Sequence, residues 1–87
     1  MENKLDGNVA GGILQEIFPF EMTLVHTTCT GCGVTDAIAA LAVYKHGMGM
    51  ILRCPSCDNV LIRVAQTKGR YWLDMRGVRV LQISVEA

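Results

Sequence analysis

The chain has 87 residues and a formal net charge of zero, and 51% of its residues are hydrophobic while 18% are charged. This composition excludes a disordered chain, and a zero net charge gives no whole-molecule field that would draw the protein to nucleic acid or a membrane. The length predicts one domain over residues 1–87, near the size below which a core needs a metal, a disulfide or a partner chain.

The first residues, MENKLDGN, lack the basic and then apolar pattern of a secretory signal. The longest apolar run, residues 37–44, is far shorter than a membrane span. We therefore expect cytoplasmic localisation without membrane association. Because thiols stay reduced in the cytoplasm, paired cysteines are interpreted as metal ligands or redox catalysts before they are interpreted as disulfides.

Residues 6–18 have the pattern of an amphipathic helix. Asp6 is a candidate N-cap, apolar residues recur at the spacing of one helix face, and Pro19 ends the segment. Gly11 and Gly12 each cost a helix up to ~1 kcal/mol relative to alanine. We therefore expect this helix to depend on packing against the rest of the chain.

Residues 22–84 consist of short apolar segments that are typical of strands, separated by turn signals. The segments are MTLVHT, AALAVYK, MGMILR, VLIRVAQT, RYWLDM and VRVLQIS. Three dipeptides predict two-residue hairpin loops, with glycine supplying the positive φ that such loops need: His46-Gly47, Lys68-Gly69 and Arg76-Gly77. The fold class predicted is mainly β, a small α+β protein with an antiparallel meander and one N-terminal helix.

The register of the last three strands can be predicted from the last two loops. It places Arg63 and Arg79 on either side of Asp74, as a ladder of opposite charges across neighbouring strands. One face of this meander is mostly apolar, and the other collects Ala65, Trp72, Leu81 and Ile83 beside the ladder. We expect the N-terminal helix to cover that second face, or otherwise a second subunit that pairs through the terminal strand VRVLQISV.

The four cysteines form two C-x-x-C pairs, Cys29 with Cys32 and Cys54 with Cys57. Each pair can supply two thiolates from one tight turn, and together they complete the tetrahedral shell that Zn²⁺ prefers. The 21 residues between the pairs accommodate a hairpin that brings them together. Gly33, and Asp58-Asn59 after the second pair, suit the left-handed backbone conformation that directs amide groups toward sulfur. We therefore predict one structural Zn²⁺ per chain.

Other uses of these thiols are less well supported. A thioredoxin-like redox pair needs one C-x-x-C and a longer βαβ frame. His26 is close enough in sequence to Cys29 to compete as a ligand, although an ordinary strand histidine is the simpler interpretation. Zinc and iron use the same four thiolates, so the sequence leaves both metals open.

The two knuckles, the hairpin between them and the following meander resemble a zinc ribbon over residues 22–84, and CPSC is similar to knuckles of both zinc ribbons and rubredoxins. The combination of LDGN, CTGCG, LRCPSC and WLDMRGVRVL also resembles a family of short bacterial zinc-ribbon proteins without an assigned function. This resemblance implies the four cysteine ligands and no catalytic residue. Asp58 departs from the pattern, because glycine is usual after the second knuckle.

A further candidate site surrounds the single tryptophan. Trp72 with Arg63, Arg70 and Arg79 forms either a partner-binding surface or a stacking platform for single-stranded nucleic acid, unless the indole packs in the interior. We find no catalytic triad or dinucleotide loop and expect no enzymatic activity. The leading hypothesis is a non-enzymatic zinc-binding module for a protein partner. The alternatives are a zinc ribbon that binds nucleic acid and a rubredoxin-like iron electron carrier that partners an oxidoreductase.

Overall fold

A computed structural model describes residues 5–47 and 49–85 of the chain. The fold is mostly β, with antiparallel strands and one α-helix. The strands are β1 (Leu5–Asp6), β2 (His26–Cys29), β3 (Thr35–Ala37), β4 (Ala42–His46), β5 (Gly49–Arg53), β6 (Val60–Thr67), β7 (Arg70–Asp74) and β8 (Val78–Gln82). They form a five-stranded sheet in the order β1-β4-β5-β6-β7 and a three-stranded sheet in the order β3-β2-β8.

The predicted helix over residues 6–18 is divided into two segments. A 3-10 helix spans Gly7–Ala10, and the Asp6 side chain caps it by accepting the Asn8 amide hydrogen at 3.0 Å. The α-helix, α1, spans Gly11–Ile17 and ends before Pro19, as expected. The predicted first strand is also shorter than its sequence segment, because Met22–Leu24 form a 3-10 helix.

The predicted meander is confirmed from β4 to β7. The Lys68-Gly69 loop forms as expected, since Thr67 pairs with Arg70 and Gly69 has a φ of 68°. The first loop lies one residue further along than predicted, because His46 pairs with Gly49. Arg63 pairs with Asp74 in the predicted register.

The prediction that β8 continues this meander is wrong. β8 pairs with β2, so Val80 lies opposite Thr28, and Arg79 does not flank Asp74. Asp74 instead binds Arg76, whose Nη2 lies 2.6 Å from Asp74 Oδ2. Hydrogen bonds from Arg76, with its positive charge and that of Arg63, lower the pKa of Asp74 to about 2.

Gly77 explains this change of sheet. Its φ is not positive, and a Cβ there would lie 1.8 Å from the Val60 carbonyl oxygen. Arg76 and Gly77 do form a tight turn, since the Val78 amide donates to the Met75 carbonyl at 3.0 Å, but the strands on either side of it do not pair. Glycine at position 77 therefore permits a close approach of two backbones rather than the positive φ of a hairpin loop. The chain passes against the start of β6 and enters the other sheet.

The helix α1 covers the opposite face of the five-stranded sheet from the one predicted. Leu14 is buried in the same core as Val64, and Tyr71 donates a hydrogen bond to Glu16 Oε1 at 2.8 Å. Because side chains alternate along strands, Tyr71 and Trp72 point to opposite faces. We call the face that carries Trp72 the outer face, and its members are Tyr44, Ile51, Arg63, Ala65, Arg70, Trp72 and Asp74. Leu81 and Ile83 do not join it, because they pack from the β8 segment against the core.

Candidate metal centre

The two cysteine pairs occupy two turns with the same backbone pattern. In the first, the Cys29 amide donates to the Val34 carbonyl at 2.9 Å and the Gly33 amide donates to the Cys29 carbonyl at 2.9 Å. In the second, the Cys54 amide donates to the Asn59 carbonyl and the Asp58 amide to the Cys54 carbonyl, both at 2.8 Å. The equivalent hydrogen bonds show that the two C-x-x-C sequences fold as related knuckles.

Each knuckle requires a left-handed residue directly after its second cysteine. Gly33 has a φ of 78° and Asp58 a φ of 65°, which confirms the predicted positions. Asp58 is the only non-glycine residue with positive φ in the described part of the chain. Arg53 supports it, because its Nη1 donates to the Asp58 carbonyl oxygen at 3.0 Å and lies 3.7 Å from Oδ2.

The hairpin β4–β5 connects the knuckles, as the spacing predicts. The four sulfurs all lie within 4.8 Å of one another. Cys29 Sγ lies 3.6 Å from Cys57 Sγ, and Cys32 Sγ lies 3.6 Å from Cys54 Sγ. In a tetrahedral zinc site with Zn–S of about 2.3 Å, neighbouring sulfurs are about 3.8 Å apart. The four cysteines are therefore positioned to bind a metal ion.

The cluster is half enclosed. Cys29 and Cys54 are buried, whereas Cys32 and Cys57 are exposed, so each knuckle contributes one inner and one outer thiol. His26 does not belong to the cluster; it is exposed at the start of β2. The prediction that cysteines alone make up the ligand set is consistent with this arrangement.

Hydrogen bonds favour the thiolate form at Cys29. Burial of Cys29 raises its pKa, but hydrogen bonds from the Cys32 and Gly31 amides and from the Asn59 side chain lower the pKa to about 6. The Gly31 amide is 3.2 Å from Cys29 Sγ. Thiolates accept such bonds well, so this sulfur is prepared to act as an anionic ligand.

The other sulfurs oppose further ionisation in the absence of a cation. A hydrogen bond from the backbone amide of Asn59 lowers the pKa of Cys57, but desolvation and the neighbouring sulfurs outweigh that effect and raise the pKa to about 12. The pKa of Cys32 is raised as well, because desolvation and the Cys54 sulfur outweigh a hydrogen bond from Val34. Four crowded thiols of this kind become four thiolates only when a bound cation compensates their charge, so the donor set fits a soft divalent metal.

Asn59 is a site residue that the sequence did not identify as such. Its Nδ2 lies 3.6 Å from Cys29 Sγ and 3.3 Å from Thr30 Oγ1, so a side chain of the second knuckle contacts the first. Sequence reasoning assigned Asn59 only a tolerance for left-handed backbone, which Asp58 alone adopts. The signal in the sequence that could have identified it is an amide side chain two residues after the last cysteine.

The predicted partner surface is only partly brought together. Trp72 is 55% exposed on β7, so it is not a core residue. Arg63 and Arg70 are exposed on the same outer face. Arg79 is exposed on β8, a strand of the other sheet, so it does not join them. In the two described ranges of the chain, no helix is long and apolar enough to cross a membrane.

These features define a small, mostly β protein whose four-cysteine cluster is compatible with a zinc ribbon. The chain belongs to the family described as "Family of unknown function (DUF6510)", whose model matches residues 1–86. This agrees with the resemblance to a zinc-ribbon family of unassigned function. Comparisons with curated proteins and with solved structures give no match.

Proposed function

We propose that this protein is a non-enzymatic, zinc-binding interaction module in which one Zn²⁺ per chain holds the fold together. The observation that carries the proposal is the arrangement of four cysteine sulfurs within 4.8 Å of one another. Four thiolates fill a tetrahedral shell, which leaves no position for water or substrate, and this is typical of structural rather than catalytic zinc sites. Zinc supplies charge compensation and a cross-link between the two knuckles.

The face around Trp72 supports the interaction role. The Trp72 indole lies on an open sheet face with its N–H already donated to Thr67 Oγ1 at 2.9 Å. An exposed aromatic ring beside arginines is typical of the anchor of a protein interface. We therefore assign the outer face to a protein partner.

The test of the metal centre is elemental analysis with native mass spectrometry on protein purified without added metal. We expect one zinc per chain and a colourless protein. One iron per chain with visible absorbance would instead indicate the rubredoxin-like electron carrier. Structural zinc in small peptides binds with ~10 to 16 kcal/mol, so complete chelation should unfold the protein, and unchanged circular dichroism after chelation would contradict a structural role.

The test of the outer face uses Trp72→Ala, with Arg79→Ala as a control on the other sheet. Because Trp72 is exposed in the single chain, Trp72→Ala should leave the melting temperature of the dilute, monomeric protein nearly unchanged and weaken binding to the partner. Arg79→Ala should change neither property. Binding of single-stranded nucleic acid with a steep salt dependence would replace the protein partner by the nucleic-acid alternative, since phosphate contacts release counterions.

A further inference from the structure

The strand β7 has an open edge. It is the last strand of the five-stranded sheet and, among the residues that the structure describes, pairs with β6 alone. Residues that flank a two-residue hairpin loop exchange both backbone hydrogen bonds, so Arg70, Trp72 and Asp74 bond inward to β6. The N–H and C=O groups of Tyr71 and Leu73 therefore point outward, and an edge of this kind is a template for another strand.

The sequence of β7, RYWLD, is complementary to itself in antiparallel orientation. Pairing of two copies about Trp72 places Arg70 of each copy opposite Asp74 of the other. The same register places Tyr71 opposite Leu73, which are the two residues whose backbone groups point outward. Charge pairing and backbone hydrogen bonding thus select the same register. A shift by one residue would lose both the ion pairs and the backbone hydrogen bonds.

We infer that β7 is a homodimerisation edge, at which two copies of this chain join their five-stranded sheets through antiparallel β7–β7 pairing centred on Trp72. In this register, Trp72 with Trp72 and Arg70 with Asp74 are non-hydrogen-bonded pairs, whose Cα atoms approach most closely, to about 4.5 Å. The two indoles, each 55% exposed in the single chain, would then cover one another on the continuous outer face.

The other long edge, β8, lacks this complementarity. Antiparallel pairing of two VRVLQ segments about Val80 places Arg79 opposite Leu81, and pairing about Arg79 places two like charges together. Natural edge strands are commonly protected by charges that repel a second copy. On β7 the two charges have opposite signs and sit at equal distances from Trp72, so they favour the second copy.

This inference rests on the proposed function, because it names a second copy of the chain as the protein partner of the outer face, and it does not depend on which metal is bound. The experiment is sedimentation equilibrium of the metal-loaded full chain over a wide concentration range, combined with fluorescence of its one tryptophan. We expect a reversible monomer–dimer equilibrium in which dilution exposes Trp72 to acrylamide quenching. A monomer at all concentrations would overturn the inference. It would leave the zinc content unchanged and the outer face open to a different protein partner, so the proposed function would stand.

A charge swap tests the register. Arg70→Asp places two acidic residues opposite one another at both symmetric positions of the dimer, so it replaces two ion pairs by two repulsions and should weaken dimerisation by about tenfold. Asp74→Arg should do the same, and a mixture of the two variants should form a heterodimer with both ion pairs restored.

Two further variants keep the test decisive. Should Asp74→Arg fold poorly because it loses its bonds to Arg76, Arg70→Lys supplies the comparison, since it retains the charge and should retain the dimer. Arg79→Asp makes the same charge change on β8 and should leave the dimer unaffected. If Arg79→Asp weakens self-association and Arg70→Asp does not, the dimer forms through β8 and the inference is wrong.

Discussion

The Gly77 carbonyl oxygen accepts a hydrogen bond from the Thr30 amide at 3.0 Å, which joins the end of the meander to the first cysteine knuckle. The contact exists because Gly77 lies against the backbone of Val60, where no side chain fits. One glycine therefore directs the chain out of one sheet, into the other and past the metal centre.

Gly77→Ala should destabilise the metal-loaded protein strongly. The new Cβ would meet the Val60 carbonyl oxygen at 1.8 Å, and backbone must move to relieve the overlap. Overpacking of this kind costs about 1–3 kcal/mol or more, which chemical denaturation with a circular dichroism signal would measure. Gly12→Ala is the matched control, because nothing lies within 4 Å of its new Cβ and alanine favours the helix α1 by about 0.5–1 kcal/mol. Equal stability of the two variants would contradict this account.

Asp58 occupies a left-handed position that costs a non-glycine residue roughly 1–2 kcal/mol, and somewhat less for Asp. Asp58→Gly should therefore leave stability unchanged or raise it by up to about 1 kcal/mol, since the Arg53 bond to the backbone carbonyl remains available. Asp58→Ala should lower stability, because alanine has neither the conformational freedom of glycine nor the local hydrogen bonding of Asp. Thermal unfolding of the metal-loaded variants measures their order of stability. If Asp58→Gly is less stable than Asp58→Ala, the left-handed backbone conformation does not determine the stability at this position.

Local signals predicted most of the metal centre. Each knuckle, its left-handed residue such as Gly33, and the hairpin between the pairs depend on contacts between residues close in sequence. Such features can be predicted from short stretches of the sequence. The same holds for the Lys68-Gly69 loop and the Arg63–Asp74 register. These features need no knowledge of how distant segments meet.

Long-range pairing was not predictable in the same way. A glycine after Arg76 is compatible both with a hairpin turn and with a close backbone approach, and only the contact with Val60 distinguishes them. The position of β8 beside β2 follows from that contact. The prediction of which face α1 covers was wrong for a related reason. Both faces of the meander carry apolar residues, and the alternation of side chains alone does not select between them.

Tyr71 connects β7 to α1 through its 2.8 Å hydrogen bond to Glu16. This bond, together with desolvation and the Glu16 charge, raises the pKa of Tyr71 above its ordinary value of 10.0. A raised pKa means that the folded state binds the phenolic proton more tightly than the unfolded state does. The resulting stabilisation is complete below about pH 10 and is lost as the pH rises through the raised value.

Absorbance titration at alkaline pH should therefore show one tyrosine with a raised midpoint, which disappears in Tyr71→Phe. Glu16→Gln keeps an acceptor oxygen but removes the charge, so it should lower that midpoint while retaining part of the stability. If the midpoint is the same in the Glu16→Gln variant as in the unchanged protein, the charge of the Glu16 carboxylate does not affect the pKa of Tyr71.

Asn59 should increase the affinity of the metal centre, because its amide donates to a ligand sulfur from the opposite knuckle. Loss of a group that supports a metal ligand typically costs 10–100-fold in metal affinity. We expect Asn59→Ala to weaken zinc binding by about tenfold, at the lower end of that range, because its bond to Cys29 Sγ is long at 3.6 Å. Competition with a chromophoric chelator gives the affinity.

The control for Asn59→Ala is Thr30→Val, which removes the second partner of the Asn59 amide and leaves its contact with Cys29 in place. Thr30→Val should change zinc affinity little. If it weakens zinc binding as much as Asn59→Ala does, the amide acts by positioning the first knuckle through Thr30 rather than by stabilising the thiolate. If neither variant changes the affinity, the hydrogen bond to sulfur makes no contribution and the backbone amides alone support the ligands.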